Sequence, residues 1–253
     1  MYFLQSNLTG NFQISKNFIK NFLFRRRYYQ LYDKQHQNGL VPSDYHLVDH
    51  VQISNLSAMN DRSIFFPNAH ELTISESQYT LSNTFTNALD QILPLKQLNK
   101  IIINYHNLQF DTLMQILSCT PNCYQLTLNS LSADEAKLSL IESNLRSQST
   151  SNNNKITDLV INSICTWKQV KLLTKLCPQL RHLTIEIVHR EFSSIIKYLL
   201  SKSNKYTRHI TSLYIHSSED LYIEKLMNLL APIKSSNEFT VKDIGYRSCY
   251  IWW

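Results

Sequence analysis

The chain has 253 residues, of which 43% are hydrophobic and 17% charged, with only three glycines and six prolines. That length allows a large core, as one elongated domain or two compact ones, and no apolar run approaches the ~20 residues of a membrane span. So few glycines weigh against a phosphate-cradling nucleotide fold or a turn-rich sandwich. The net charge of +6 is uneven: Lys16, Lys20, Arg25, Arg26, Arg27 and Lys34 face only Asp33 within residues 1–36, and the remainder sums to nearly zero. A near-neutral body offers no broad basic face for nucleic acid to follow. The five cysteines are an odd number, and the opening Met-Tyr-Phe-Leu run is too short for a secretory leader. Free buried thiols in a reducing compartment, cytoplasmic or nuclear, are therefore expected. The sequons at Asn7 and Asn55 carry no weight without secretion.

In chain order, residues 1–44 read as a basic, aromatic helical cap. Ser15 is placed to start a helix running to about Lys34, with Phe18, Phe22, Tyr29 and Tyr32 along one side. Such a helix would cover an open end of the core. The alternative makes Arg25-Arg26-Arg27-Tyr28-Tyr29 a contact for nucleic acid or an anionic membrane surface; a targeting segment, or a remnant of a lost upstream domain, is a third reading.

From residue 45 to about 230 one apolar spacing recurs, three residues and then two. It reads Val48, Val51, Ile53; Ala69, Leu72, Ile74; Leu98, Ile101, Ile103; Cys123, Leu126, Leu128; Ile156, Leu159, Ile161; Leu180, Leu183, Ile185; and Ile210, Leu213, Ile215. A single triplet is weak evidence in a chain this hydrophobic, but the middle positions recur about every 27 residues, the size of one repeated supersecondary unit. The intervals carry helical stripes: Phe85, Leu89, Ile92; Phe110, Leu113, Leu117; Leu138, Ile141, Leu145; Val170, Leu173, Leu176; Phe192, Ile195, Leu199; and Ile223, Leu226, Leu230. Two of these begin with capping boxes, Ser132-x-x-Glu135 and Thr166-x-x-Gln169. Each unit is thus predicted to be a short strand and an amphipathic helix, the connection that parallel strands need. The polar tract Arg146–Lys155 reads as a flexible loop at a repeat edge, with a modification or docking site as the alternative. Residues 231–253 read as a C-terminal cap, a closing strand and plug around Tyr246–Trp253; an exposed aromatic peptide is the minority reading.

The run Cys177-Pro-x-Leu180-x-x-Leu183-x-Ile185, with a weaker copy from Cys119 to Leu128, resembles the leucine-rich repeats of F-box proteins over roughly residues 45–253. The resemblance implies a right-handed α/β solenoid (horseshoe), parallel strands on its concave face and helices on its convex face. Two features depart from the family. Its Asn or Cys position holds Ser77, His106, Leu131, Ile164, Val188 and Ser218, and the first forty residues lack the pattern of an F-box. The resemblance thus implies the recognition half of a ubiquitin-ligase substrate receptor, meeting a Skp-type adaptor only if an F-box lies outside this chain.

No Gly-rich phosphate loop, nucleophile elbow or zinc-protease helix occurs, and Cys119-x-x-x-Cys123 lacks the second ligand pair a zinc site needs. No enzyme, cofactor, metal or small-molecule substrate is expected. Residues alternating with the buried triplet should instead form one continuous strand face. Its partner-binding candidates are Lys100, Ile102, Asn104; Gln125, Thr127, Asn129; Asp158, Val160, Asn162; His182, Thr184, Glu186; and Tyr214, His216. A near-neutral, hydrogen-bonding surface with apolar spots suits a protein or peptide better than a polyanion, so nucleic acid is an unlikely ligand for it. The solvated alternative, an ordinary wet strand face, stays open.

Overall fold

The structure is a computed structural model that describes residues 28–31, 42–54, 64–75, 85–106, 108–132, 154–201, 203–217, 226–231, 240–245 and 248–253. Its strands are β1 Tyr28–Leu31, β2 His50–Ile53, β3 Glu71–Ile74, β4 Lys100–Ile103, β5 Gln125–Leu128, β6 Asp158–Cys165, β7 His182–Ile187, β8 Ser212–Ser217, β9 Thr240–Gly245 and β10 Ser248–Trp252. They form one mostly parallel sheet. Strands β1 to β8 lie side by side in chain order, and β10 and then β9 close it in antiparallel fashion. The helices α1 Phe85–Ile92, α2 Phe110–Cys119, α3 Trp167–Leu176 and α4 His189–Leu199 fall between successive parallel strands, and residues 226–231 are also helical. No helix among the described residues is long and apolar enough to cross a membrane.

The three-then-two spacing has a local cause. The first triplet residue closes a turn, its N–H donating three residues back: Ala69 to Phe66, Leu98 to Leu95, Cys123 to Thr120, Leu180 to Cys177 and Ile210 to Thr207, at 3.0–3.3 Å. At Ile156 the Asn154 side chain substitutes, its Oδ1 accepting from the Ile156 amide at 2.8 Å. One and two residues later the chain hooks onto the start of the previous strand, where the carbonyl just before that strand takes two successive amides. Thr157 O, for example, accepts from Arg181 and His182 at 2.8 and 2.9 Å. The second and third triplet residues then point inward from an extended strand, where alternate side chains share a face.

Register carries this arrangement across the sheet. Val51 stands beside Leu72, Leu72 beside Ile101, Ile101 beside Leu126, Leu126 beside Leu159, Leu159 beside Leu183 and Leu183 beside Leu213. Every residue of the seven triplets is 3% exposed or less. They share one core with the inward stripes of the helices: Phe85, Leu89 and Ile92; Phe110, Leu113 and Leu117; Val170, Leu173 and Leu176; Phe192, Ile195 and Leu199; Leu226 and Leu230. At Thr166 both arms of the capping box form, Oγ1 accepting from the Gln169 amide at 3.3 Å and Gln169 Oε1 accepting from the Thr166 amide at 2.8 Å.

Three expectations need correction or limitation. Residues 28–31 are a strand: Tyr28 to Leu31 pair in parallel with His50 to Ile53. Tyrosines favour strands, and an open β2 edge offers a ladder that a surface helix does not. At the other end the closing strand is a two-stranded hairpin, because Thr240–Gly245 supplies β10 with a partner on its outer side. Asn154, assigned to the flexible polar tract, is buried at 6%. The remainder of the 15–34 helix, residues 133–153 with the Glu135 box and the 138–145 stripe, and Ile223 lie outside the described residues.

Candidate interaction face

The side of the sheet away from the helices carries three rows of side chains running across the strands. The first passes through Glu71, Lys100, Gln125, Asp158, His182 and Ser212, each opposite the next in register. The second passes through Thr73, Ile102, Thr127, Val160, Thr184 and Tyr214 and continues to Tyr250. In the third, Asn104 and Asn129 each extend the ladder one residue past their strands, donating to Ile74 O and Ile103 O at 2.8 Å. Apart from Asn162, the candidates are therefore brought to one face.

The rows are tied between neighbouring strands. Lys100 Nζ lies 3.4 Å from Glu71 Oε2, and that carboxylate is nearly buried while the lysine is part exposed. Asn104 Nδ2 donates to Ser75 Oγ at 3.4 Å, and Asn129 Nδ2 lies 3.3 Å from His106 Nδ1. Asp158 is held locally, its Oδ2 accepting from the adjacent Thr157 Oγ1 at 2.6 Å. His182 Nδ1 pairs with Ser212 Oγ at 2.6 Å, and His216 Nδ1 with Ser248 Oγ at 2.8 Å. Ile102, Thr127, Val160, Thr184 and Tyr214 are half-buried in the middle row, and Asn162 is exposed.

The third row is not continuous. Between Val160 and Ile164 the register of β6 against β7 shifts, three residues of β6 standing where β7 has one. Asn162 sits in this bulge instead of facing β7, and Ile164 is placed opposite Glu186. A bulge re-aims side chains in this way. Ile164 consequently emerges 46% exposed, an apolar spot the spacing did not reveal.

The closing strand was expected as a plug, and its contribution to the outward face was not. Ser248, Tyr250 and Trp252 stand opposite His216, Tyr214 and Ser212 and extend the face by a strand, the Tyr250 and Trp252 rings 5.2 Å apart. The signal was present in Ser-Cys-Tyr-Ile-Trp, where Cys249 and Ile251 are buried while Tyr250 is part exposed and Trp252 exposed. At the other edge His50 and Gln52 join the face, His50 Nε2 meeting Thr73 Oγ1 at 2.8 Å and Gln52 Nε2 donating to Ser75 Oγ at 3.2 Å.

Two rows place an acid, a histidine and a serine in series: Asp158, His182, Ser212 and Glu186, His216, Ser248. The order is that of a hydrolase relay, but the geometry is not. Neither carboxylate bonds the facing imidazole, and both hydroxyls are buried, at 5% and 6% exposure. A relay requires the base held by its acid and a nucleophile open to substrate. These contacts instead pin the imidazoles as fixed polar groups. Among the described residues no three His, Cys, Asp or Glu side chains are grouped to hold a metal ion. Burial pushes the thiols of Cys123, Cys165, Cys177 and Cys249 up to about 12, which makes them poor nucleophiles at neutral pH. Arg25, Arg26 and Arg27 lie outside the described residues.

Compared with known proteins, the chain matches no family model and no curated sequence significantly.

Proposed function

We propose that the chain is a protein-recognition scaffold: a right-handed α/β solenoid of irregular leucine-rich repeats whose open strand face grips a protein or peptide. The observation that carries this reading is the register. Seven apolar triplets stack inward, strand by strand in chain order, and present outward rows of amide, hydroxyl, imidazole, aromatic and a few charged groups. Stacked units of this kind give extended binding surfaces. Ile102, Val160 and Tyr214 provide apolar contact among polar groups already held by their neighbours, the mixture typical of transient protein interfaces. The resemblance of the Cys177–Ile185 run to F-box repeats supports a more specific role, selection of substrates for a ubiquitin ligase. A Skp-type adaptor would then join through an F-box outside this chain.

Photo-crosslinking tests the reading. A photoreactive residue at Thr127 or Thr184 should capture a partner that the same probe at Asp90, exposed on α1, does not, and Thr184→Arg should abolish capture. Equal capture from both sides, or capture unaffected by Thr184→Arg, would overturn it. Co-purification of the full-length gene product with a Skp-type adaptor tests the ligase role separately.

A further inference from the structure

The near-neutral charge of the body hides a segregation. Residues 166–211 contain nine lysines and arginines against two acids, Glu186 and Glu191. Glu186 lies in the strand rows of the open face, opposite His216. Glu191 is engaged at the start of α3, its Oε2 accepting from the Trp167 amide at 2.8 Å. Lys168, Lys197, Lys205 and Arg208 are exposed on the helical side, and Lys171 and Lys175 are half-exposed there.

These cations are interleaved with aromatic rings in one chain of contacts. Lys171 Nζ lies 5.6 Å from the Trp167 ring centroid. Trp167 packs edge-on against Tyr198 at 4.9 Å, and the Tyr198 hydroxyl meets Thr174 Oγ1 at 2.9 Å. The Tyr198 carbonyl accepts from Thr207 Oγ1, which fixes the neighbouring Tyr206 beside α3. Lys175 and Lys205 both lie over the Tyr206 ring, at 5.9 and 4.8 Å. A lysine held over a ring has already lost much of its rotamer freedom, so its ammonium is presented at low further entropic cost.

We propose that this lysine–aromatic surface on α3, α4 and the following loop docks an acidic peptide segment of a partner protein, separately from the open strand face. Charge complementarity calls for an anion, and the rings decide which. Lys171 lies over Trp167, which also meets Tyr198 edge-on, and two lysines lie over Tyr206, so a stacking nucleic-acid base would compete with these lysines for the rings. No exposed large apolar side chain lies on α3, α4 or this loop to insert into a membrane. Carboxylate side chains on a flexible backbone need neither. They need only ammonium groups at fixed positions.

The test is fluorescence anisotropy with fluorescein-labelled octaglutamate. The wild-type chain should bind it, and binding should weaken as salt rises from about 50 mM to about 300 mM. The triple variant Lys171→Glu, Lys175→Glu, Lys205→Glu should bind at least about tenfold more weakly. The milder Lys→Gln triple variant, required to keep the wild-type melting curve, should lie between. Thr184→Arg, and the triple Arg25→Ala, Arg26→Ala, Arg27→Ala, should leave octaglutamate binding unchanged, which separates this surface from the open face and from the N-terminal basic cluster. Equal binding by wild type and both lysine variants overturns the proposal. So does tighter binding of octauridylate or of phosphatidylserine vesicles with the same lysine dependence.

Discussion

Cys177 shows how one position serves two units. Its amide donates to Leu173 O, ending α3, and its carbonyl accepts from Leu180, opening the turn into β7. A small, apolar side chain is required there, since the residue is fully buried with its Sγ 3.9 Å from Asn154 Nδ2. Burial, assisted by the nearby Cys123 thiol, pushes the Cys177 thiol up from 9.0 to about 12. Below pH 9 the thiol is protonated in folded and unfolded chains alike, so its full contribution is present. Between pH 9 and 12 the unfolded chain loses this proton while the folded chain keeps it, and stability falls as pH rises. Cys123, Cys165 and Cys249 act in the same sense. Urea midpoints should therefore decline from pH 8.5 to pH 10.5, and the decline should be shallower in Cys177→Ala; identical slopes would rule out the buried thiol as a contributor.

Among the elements, α3 was the most legible. Val170, Leu173 and Leu176 face the core, and the Thr166–Gln169 box forms as its residue types dictate. Gln169 does more than the box requires: its Nε2 donates to Leu131 O at 3.2 Å, tying α3 back to the preceding unit. Thr166→Ala should cost about 1 kcal/mol, since an N-cap hydroxyl is lost, while Thr166→Ser should be nearly neutral. Chemical denaturation at neutral pH measures both, and equal losses in the two variants would mean that the methyl group matters and the cap does not. The segment at 28–31 shows why other elements were less legible. Phe18, Phe22, Tyr29 and Tyr32 fit a helical stripe, but Tyr and Leu fit a strand as well. Local pattern could not choose between them. The open edge of β2, a feature of the assembled sheet, did.

For the whole molecule, the sheet's β8 edge is closed by an antiparallel pair. β8 would end the parallel stack with a row of unpaired backbone groups; β10 covers it and turns the direction, and β9 follows with Lys242 and Asp243 exposed. Charged residues on an edge strand discourage pairing with another chain. A chain ending at residue 231 should thus associate in a concentration-dependent manner, detectable by light scattering. A monomer with an unchanged melting temperature would show that the hairpin protects nothing.

The amino-acid sequence by itself determined which residues are inside: the triplet spacing reflects a turn, a hook onto the previous strand and two inward side chains, all local to one unit. It determined the helical stripes at 85–92, 110–117, 170–176 and 192–199 for the same reason, since a 3.6-residue period is written within a dozen residues. What only the tertiary structure decided depends on pairs far apart in the chain. The β6 bulge that exposes Ile164 and displaces Asn162 arises from the register against β7. The extension of the open face by Tyr250 and Trp252 depends on an antiparallel return to β8. The lysine–aromatic surface likewise needs α3, α4 and the 201–209 loop to meet before a nearly neutral body becomes locally basic. Periodicity encodes burial one unit at a time; contact between units is set by packing, which no single window of sequence contains.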